Sequence, residues 1–332
     1  MRILLWPVHG GYTDAFVRGD HEYLLPAGKA QDPAAIGLDG WVWPRARAIP
    51  LADLRHEDID VVVLQRREEI GLLERFAGRR PARDIPAVYL EHNAPRPDPV
   101  ASIHPLADQS DIPIVHVTAF NDLFWDSGRA RTVVIEHGLP DPGVWYTGEL
   151  ARCGVVINEA VRRWRTTGTD LLPHFGEVAP VDVFGIDCTS VETSLPAGSR
   201  VTGAGNLDPG QLRRELGRRR VYLHPNRWTS LGLSLIEAML IGMPVIAVGA
   251  TEAVRAVPSG AGVASTDLEE LKRGVARFIA HPDLAREAGQ RARQHALRRF
   301  SHAAFLAKWD VVLTEAAGAR AHTAHDRKII AR

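Results

Sequence analysis

The chain alternates short, nearly continuous apolar runs with segments of helical periodicity, and this alternation constrains its fold more than any other feature. In the first half the runs are RILLWPV, IDVVVLQ, PAVYLEH, PIVHVTA and RTVVIEH. In the second half they are GVVINE, VDVFGI, RRVYLHP, MPVIAVG and GAGVAST. Parallel strands that are covered by helices on both faces are apolar on both sides, and they give such runs. The pattern therefore predicts two doubly wound α/β domains.

A Gly- and Pro-rich segment, residues 138–150, follows the fifth run and suits a linker. We predict an N-terminal Rossmann-like domain at residues 1–145 on the acceptor side and a C-terminal Rossmann-like donor domain at residues 146–300. A helix at 301–318 and a tail at 319–332 that is too polar to be ordered complete the chain. Ligands of such folds bind beyond the carboxyl ends of the strands, so we expect the site in a cleft between two facing domains.

Composition excludes several classes of protein. The 40 basic and 40 acidic residues give no net charge, which argues against a nucleic-acid partner. The cysteines, Cys153 and Cys188, form no CxxC motif, so we expect neither a disulfide framework nor a zinc site, and a cytoplasmic location fits best. No apolar segment reaches the about 18 residues of a membrane span. Peripheral membrane contact stays open.

Two glycine-rich turns and one pair of carboxylates resemble other kinds of binding site, but their spacing and position do not support those sites. HGGY at residues 9–12 and GAGNLD at residues 203–208 both lack the GxGxxG spacing, so a nicotinamide dinucleotide site is poorly supported. Asp58 and Asp60 stand at the amino end of a strand, whereas ligands bind at the carboxyl end. We therefore interpret both aspartates as structural rather than as metal ligands.

A carboxylate stands in the middle of an apolar helical pattern. Thr229 or Ser230 suits the N-cap and Gly242 the stop, which predicts a helix over residues 231–241. Its residues are apolar on nearly every side, so the helix should be buried. Burying Glu237 there costs several kcal/mol unless it meets a polar partner. Glu237 is therefore a candidate ligand contact.

The start of the same helix is a candidate anion site. Backbone amides at a helix N-terminus lack partners within the helix and point towards an anion, and the helix dipole assists them. A ligand with phosphates at one end and a vicinal diol at the other would satisfy both the amides and Glu237. The amides belong to Ser230, Leu231, Gly232 and Leu233.

The segment around this helix resembles a known family signature. The run HPNRWTSLGLSLIEAMLIGMPVIAV is similar to the signature PSxxEGFGLxxLEAMAxGxPVI of the retaining nucleotide-sugar glycosyltransferases of family 4, or group 1. The resemblance implies a GT-B fold, which has two facing Rossmann-like domains with the donor in the cleft. It assigns Glu237 to the donor ribose and the amides of residues 230–233 to the diphosphate. The signature's first Glu, which contacts the transferred sugar, falls on Thr229, whose hydroxyl carries no charge.

Further residues match the family more faintly. VVINEAVRRWRTTGTDLL is similar to the segment whose basic residues grip the donor phosphates, so Arg162, Arg163 and Arg165 are candidates, and which of them align is open. VYLEHNAP resembles the strand that ends in a histidine near the sugar, which makes His92 the expected contact to the reacting sugar in the N-terminal domain.

The resemblance also suggests several weaker candidates for site residues. The resemblance assigns His9, Gly10 and Gly11 to a glycine-rich loop near the donor or acceptor. Glu91 and Asn93 flank His92 at the same strand end. Thr251 and Glu252 occupy the place of a further donor loop.

The resemblance implies a retaining sugar transfer from a nucleoside diphosphate sugar to a hydroxyl acceptor, with no metal ion and no cofactor. Two alternatives stay open. A nucleotide-sugar epimerase can use the same architecture, and Thr229 is compatible with a degenerate protein that binds a carbohydrate or a partner without turnover.

Overall fold

The computed structural model describes residues 1–28, 37–38 and 41–330, with side chains up to residue 318. The described chain divides into two compact units. The first comprises Met1–Gly138 together with the segment from His302 onward, and the second comprises Leu139–Ser301. The division therefore lies at the start of the predicted linker, and the C-terminal helix belongs to the first unit.

The first unit is built on one parallel sheet. Its strands are β1 (Arg2–Leu5), β2 (Glu22–Ala27), β3 (Ala46–Pro50), β4 (Val61–Leu64), β5 (Ala87–Glu91), β6 (Ile114–His116) and β7 (Thr132–Val134). Their order is β3-β2-β1-β4-β5-β6-β7, and every neighbouring pair is parallel. The helices between them are α1 (Gly10–Phe16), α2 (Glu68–Ala77) and α3 (Ala119–Phe124). Strands such as β4, whose sequence is VVVL, are buried along their whole length.

The second unit repeats this architecture. Its strands are β8 (Leu150–Val156), β9 (Val181–Phe184), β10 (Val201–Gly205), β11 (Arg219–His224), β12 (Val245–Val248) and β13 (Gly262–Ser265), in the order β10-β9-β8-β11-β12-β13. Its helices are α4 (Ala160–Thr167), α5 (Leu172–Val178), α6 (Val191–Ser194), α7 (Pro209–Arg218), α8 (Leu233–Leu240), α9 (Ala253–Ala256), α10 (Leu268–Ala280) and α11 (Pro282–Arg299). The prediction of two doubly wound parallel-sheet domains is confirmed.

The core of the second unit contains a charged cluster beside its sheet. Asp182 on β9 is only 3% exposed. Its carboxylate accepts hydrogen bonds from Arg152 Nε and Arg219 Nε, each at 2.9 Å. Two guanidinium groups therefore neutralise one buried carboxylate and offset its desolvation.

The last helix, α12 (His302–Ile330), packs on the first unit. Trp309 is 1% exposed, and its Nε1 donates to the Tyr12 hydroxyl at 2.9 Å. The ring of Phe305 lies 5.4 Å from that of Tyr12. The backbone of residues 319–330 continues this helix, where we expected an unstructured tail, and residues 331–332 lie outside the described residues.

Candidate functional site

The loop between β11 and α8 carries the segment that resembles the glycosyltransferase signature. Helix α8 begins at Leu233, and its N-cap is Gly232, which has extended backbone angles and no side-chain cap. The predicted N-cap at Thr229 or Ser230 is therefore wrong. Gly232 follows the strand end closely, since a Cβ added to it would lie 2.8 Å from His224 Cε1. This close approach keeps the chain extended until Leu233.

The N-cap residue Gly232 has no side chain to cap the helix, so the first turn of α8 has the character of an anion site. The loop residues before it, Ser230 and Leu231, are 5% and 6% exposed. At the other end the predicted stop is present, because Gly242 follows the helix in the left-handed region with φ +96°. The helix is thus two residues shorter than predicted at its start and one residue shorter at its end, where Ile241 is the C-cap.

Glu237 stands about one turn into α8 and is half-buried. Tyr222 on β11 lies nearby, and its hydroxyl donates to Ser234 Oγ at 2.9 Å. Burial raises the pKa of Tyr222, and the charge of Glu237 adds to the increase. The Glu237 carboxylate therefore lies close enough to Tyr222 for its charge to act on that hydroxyl, and its role as a ligand contact stays a prediction.

Thr229, where the family has a glutamate, is half-buried in the loop. Its Oγ1 accepts a hydrogen bond from Asn226 Nδ2 at 3.3 Å. Asn226 Oδ1 is buried and has no hydrogen-bond partner among the described residues. The position thus offers polar, uncharged groups where the signature places a carboxylate.

The three candidate arginines lie on α4, and Arg162 and Arg165 bind carboxylates. Arg162 Nε donates to Glu159 Oε1 at 2.7 Å, and Arg165 Nη1 donates to Asp170 Oδ2 at 3.1 Å. Their side chains are 69% and 73% exposed. Arg163 is half-buried on the same helix. Exposed pairs of this kind exchange readily, because they contribute little stability.

The sequence interpretation missed Arg227. Its guanidinium binds Asp170 through two hydrogen bonds, of 2.6 Å from Nη1 and 2.9 Å from Nη2, and Asp170 also binds Arg165. The Arg227 side chain is 27% exposed, less than those of Arg162 and Arg165. The residue stands within the HPNRWTS run, and its place between the strand end and the amide loop was the available signal.

In the first unit the structure brings His9 and His92 together. His9 follows β1 and is the N-cap of α1, so Gly10 and Gly11 form the first turn of that helix rather than a separate loop. The rings of His9 and His92 meet edge to face with centroids 4.3 Å apart. Both histidines lie beyond the carboxyl ends of their strands, where ligands of parallel sheets bind.

Tyr12 and His137 complete this cluster, and the sequence interpretation assigned neither to it. The Tyr12 ring lies 4.6 Å from that of His92 and 5.6 Å from that of His137. His137 is 4% exposed, and neither ring nitrogen has a hydrogen-bond partner among the described residues. His137 stands at the end of the RTVVIEH run, which was its only signal.

Two histidines of the cluster, His92 and His137, are neutral at physiological pH. Burial lowers the pKa of His92 well below its usual range, and the neighbouring His9 and His137 lower it further. Burial, followed by the effect of His9, lowers the pKa of His137 to about 3. A neutral imidazole offers one donor and one acceptor, which suits hydroxyl groups.

Glu91 and Asn93 hold the loop that follows β5. Glu91 Oε1 accepts from the backbone N of Asn93 at 2.6 Å and from its Nδ2 at 3.2 Å. The backbone oxygen of Asn93 accepts from Trp125 Nε1 at 2.8 Å. Both residues therefore position the loop behind His92, whatever else they contact.

The other sequence candidates make structural contacts. Asp58 and Asp60 bind Arg2 beside the amino end of β1, with Asp58 Oδ2 at 2.9 Å from Nη1 and Asp60 Oδ2 at 2.7 Å from the backbone N. Glu252 is 1% exposed and pairs with Arg299 at 2.7 Å. Thr251, beside it, has a positive φ of 50°.

The described residues contain neither a candidate metal centre nor a candidate membrane span. Among these residues, no group of three or more His, Cys, Asp or Glu side chains is arranged to hold a metal ion. In the part of the chain that the structure describes, no helix has the length and apolar character to span a membrane.

Comparison with known proteins supports the sequence resemblance. Residues 192–295, which include the loop and α8, match the family model for glycosyl transferases group 1. The resemblance to this group is thereby confirmed. No curated protein sequence matches the chain.

Solved structures show that the fold is that of GT-B glycosyltransferases. Sucrose-phosphate synthase from Thermosynechococcus elongatus has a TM-score of 0.70 and 15% identity, and the alignment covers 96% of this chain and 100% of that one. HepE from Anabaena in complex with UDP-glucose has a TM-score of 0.70 and 15% identity, with coverage of 95% and 100%.

A TarM variant from S. aureus in complex with fondaparinux, α-GlcNAc-glycerol and UDP has a TM-score of 0.63 and 14% identity. That alignment covers 79% of this chain and 58% of TarM. At such identities the likeness concerns the fold.

Proposed function

We propose that this group 1 glycosyltransferase transfers a sugar from a nucleoside diphosphate sugar to a hydroxyl group of an acceptor, with retention of configuration and without a metal ion. The observation that carries the proposal is the half-buried Glu237 one turn into a helix whose N-cap is a glycine without a capping side chain. The amides suit the diphosphate, and the carboxylate suits the ribose diol. The UDP-glucose bound to HepE supports the same class of donor here.

The leaving diphosphate gains negative charge as the glycosidic bond to it breaks. Oriented amides at the start of α8 and the helix dipole stabilise that charge, and they need no reorganisation to do so. Arg162, Arg163 and Arg165 supply positive charge from α4. Because Glu159 and Asp170 hold Arg162 and Arg165 through exposed contacts, phosphate oxygens replace these carboxylates at small cost.

Retention through a covalent intermediate needs a carboxylate near the anomeric carbon, and the family position for one is Thr229. Its hydroxyl is held by Asn226 and carries no charge. We therefore propose that the acceptor attacks from the face that the diphosphate leaves, within a loose ion pair. The departing phosphate then accepts the proton of the acceptor hydroxyl.

The first unit contributes His92 to the transferred sugar in this proposal. Its lowered pKa keeps the ring neutral, so it accepts or donates a hydrogen bond but does not act as an acid at neutral pH. Two buried free cysteines, Cys153 and Cys188, fit action in the reducing cytoplasm, which stays a prediction.

A donor panel tests the proposal. Thermal unfolding with UDP-, GDP-, ADP- and dTDP-sugars identifies the donor, since a ligand at 100 times its Kd stabilises by about 2.7 kcal/mol. Glu237→Gln should then weaken binding of that donor by about ten- to a hundredfold, because a hydrogen bond to a charged group contributes about 1.5–3 kcal/mol. The control is Glu287→Gln, an exposed carboxylate of α11 in the same unit. Equal donor affinity in both variants would remove the basis of the proposal.

The two alternatives give different products with the identified donor. Release of free nucleotide by the isolated protein argues against a binding protein without turnover. An isomerised nucleotide sugar formed without acceptor identifies an epimerase instead.

A further inference from the structure

A buried glutamine connects three neighbouring strand ends in the first unit. Gln65 directly follows β4, the strand that lies between β1 and β5 in the sheet, and it is 5% exposed. Its Nε2 donates to the backbone oxygen of Trp6, just after β1, at 2.5 Å. Its Oε1 lies 2.8 Å from His92 Nε2, just after β5.

These contacts determine which nitrogen of His92 carries the proton. A backbone carbonyl only accepts hydrogen bonds, so the amide nitrogen of Gln65 must face Trp6. The amide oxygen then faces His92, and because this oxygen also only accepts, Nε2 of His92 must be the donor. Since burial keeps His92 neutral, its other nitrogen, Nδ1, is the acceptor. The tautomer of His92 therefore follows from the backbone carbonyl of Trp6, which can only accept a hydrogen bond.

The backbone of Gln65 is fixed as firmly as its side chain. Its N donates to Glu69 Oε2 at 2.7 Å, and Glu69 is fully buried. Arg66 Nε donates to Glu69 Oε1 at 2.8 Å. An amide turned over on this fixed backbone would place its oxygen against the Trp6 carbonyl and lose the hydrogen bond there.

We propose that Gln65 is a positioning residue that holds the proton of His92 on Nε2, so that His92 meets a sugar hydroxyl as a hydrogen-bond acceptor through Nδ1. The inference rests on the proposed function, because the sugar contact of His92 does. It adds a direction to that contact, since the ligand group that faces Nδ1 must be a donor. A simple cross-link between strand ends would not impose this direction.

The first experiment follows His92 by NMR in protein labelled with ¹⁵N-histidine, with His92→Ala to assign its signals. In the parent protein we expect the neutral Nε2–H tautomer. Gln65→Glu places a carboxylate of the same size against Nε2, and the titration midpoint of His92 should rise by about one pH unit or more. The other titratable groups around His92 are His9, Tyr12 and His137, and they are unchanged in this variant. An unchanged midpoint, or an Nδ1–H tautomer in the parent protein, overturns the proposal.

The second experiment is a double-mutant cycle with the donor identified by the panel. Gln65→Met should lower kcat/KM about tenfold, and it should cause no further loss in a His92→Ala background, because Gln65 acts through His92. The control is Gln109→Met, which removes a glutamine that holds its own loop through Leu106 and Ile112. We expect this control to lower stability and to leave kcat/KM and the His92 midpoint unchanged.

The outcomes separate the inference from the proposed function. If the losses of kcat/KM in Gln65→Met and His92→Ala multiply when the two substitutions are combined, Gln65 acts independently of His92. That result overturns the inference and leaves the proposed function intact. If His92→Ala itself leaves turnover unchanged, the sugar contact of His92 fails, and the role of Gln65 fails with it. Loss of donor binding in Glu237→Gln would still support the proposed function in that case.

Discussion

His137 allows a quantitative test of the histidine cluster. Its imidazole is buried, and its pKa in the folded protein is about 3, against an ordinary value of about 6.5 in the unfolded chain. Below pH 6.5 the unfolded state binds a proton that the folded state excludes, so the free energy of unfolding falls as the pH falls towards 3. Between pH 7 and pH 5 this one residue should cost about 2 kcal/mol, at about 1.36 kcal/mol per pH unit.

The substitution His137→Leu removes this contribution. Urea unfolding at pH 7 and pH 5 should show a stability loss about 2 kcal/mol smaller in the variant than in the parent protein. Burial also lowers the pKa values of His116 and His224 to about 4, and these histidines add the same sign of dependence to both proteins. The difference between the two proteins therefore isolates His137.

An exposed histidine supplies the control for this experiment. His56→Leu, on the surface of the same unit, should keep the parent pH dependence. If His137→Leu shows the full parent loss between pH 7 and pH 5, the reasoning from burial is refuted.

Two further substitutions test the second unit. Gly232→Ala brings a Cβ within 2.8 Å of His224 Cε1, which has no room to move at 3% exposure, so donor affinity measured by calorimetry should fall at least about tenfold. Gly71→Ala is the control, since nothing lies within 4 Å of its added Cβ, and equal effects of the two would contradict the steric argument. Asp182→Ala removes the carboxylate between Arg152 and Arg219 and leaves Arg219 paired with Glu215 alone, so it should lower the free energy of unfolding in urea by about 1.5–3 kcal/mol. A loss below about 1 kcal/mol would show that the buried pair contributes little.

Most strands of the two sheets could be predicted from the sequence, because buried parallel strands are apolar without interruption. The missed strands break that pattern. Pro26 lies within β2, β3 at the sheet edge has exposed residues, and the VTGAG sequence of β10 is rich in glycine. Helix α10 shows the kind of signal that a local pattern does carry, since it has an amphipathic period and an Asp267 cap. Edge strands depend on tertiary pairing, which local patterns do not encode.

The residues of the candidate site also fall into two groups, those that a local sequence pattern shows and those that it does not. Glu237 and the glycine loop are visible in the sequence because one short run contains them. Gln65, His137 and Arg227 are not, because each contacts residues far away in the chain, as Gln65 does with Trp6, 59 positions before it. The incorrect N-cap has a local cause, since Thr229 and Ser230 have the right chemistry and Gly232 is selected by its approach to His224.

The order of the two units along the polypeptide affects how the protein is made. Residues 139–301 form one continuous stretch, and its ends meet where Leu139 N donates to the Phe300 oxygen at 3.2 Å. This stretch interrupts the first unit in the sequence. Trp309, which donates a hydrogen bond to Tyr12, is therefore synthesised only after the second unit. During translation the inserted unit can therefore finish folding while its host still lacks a buried helix. A fragment that stops before residue 302 should accordingly expose apolar surface and aggregate, whereas the inserted stretch should fold when expressed alone.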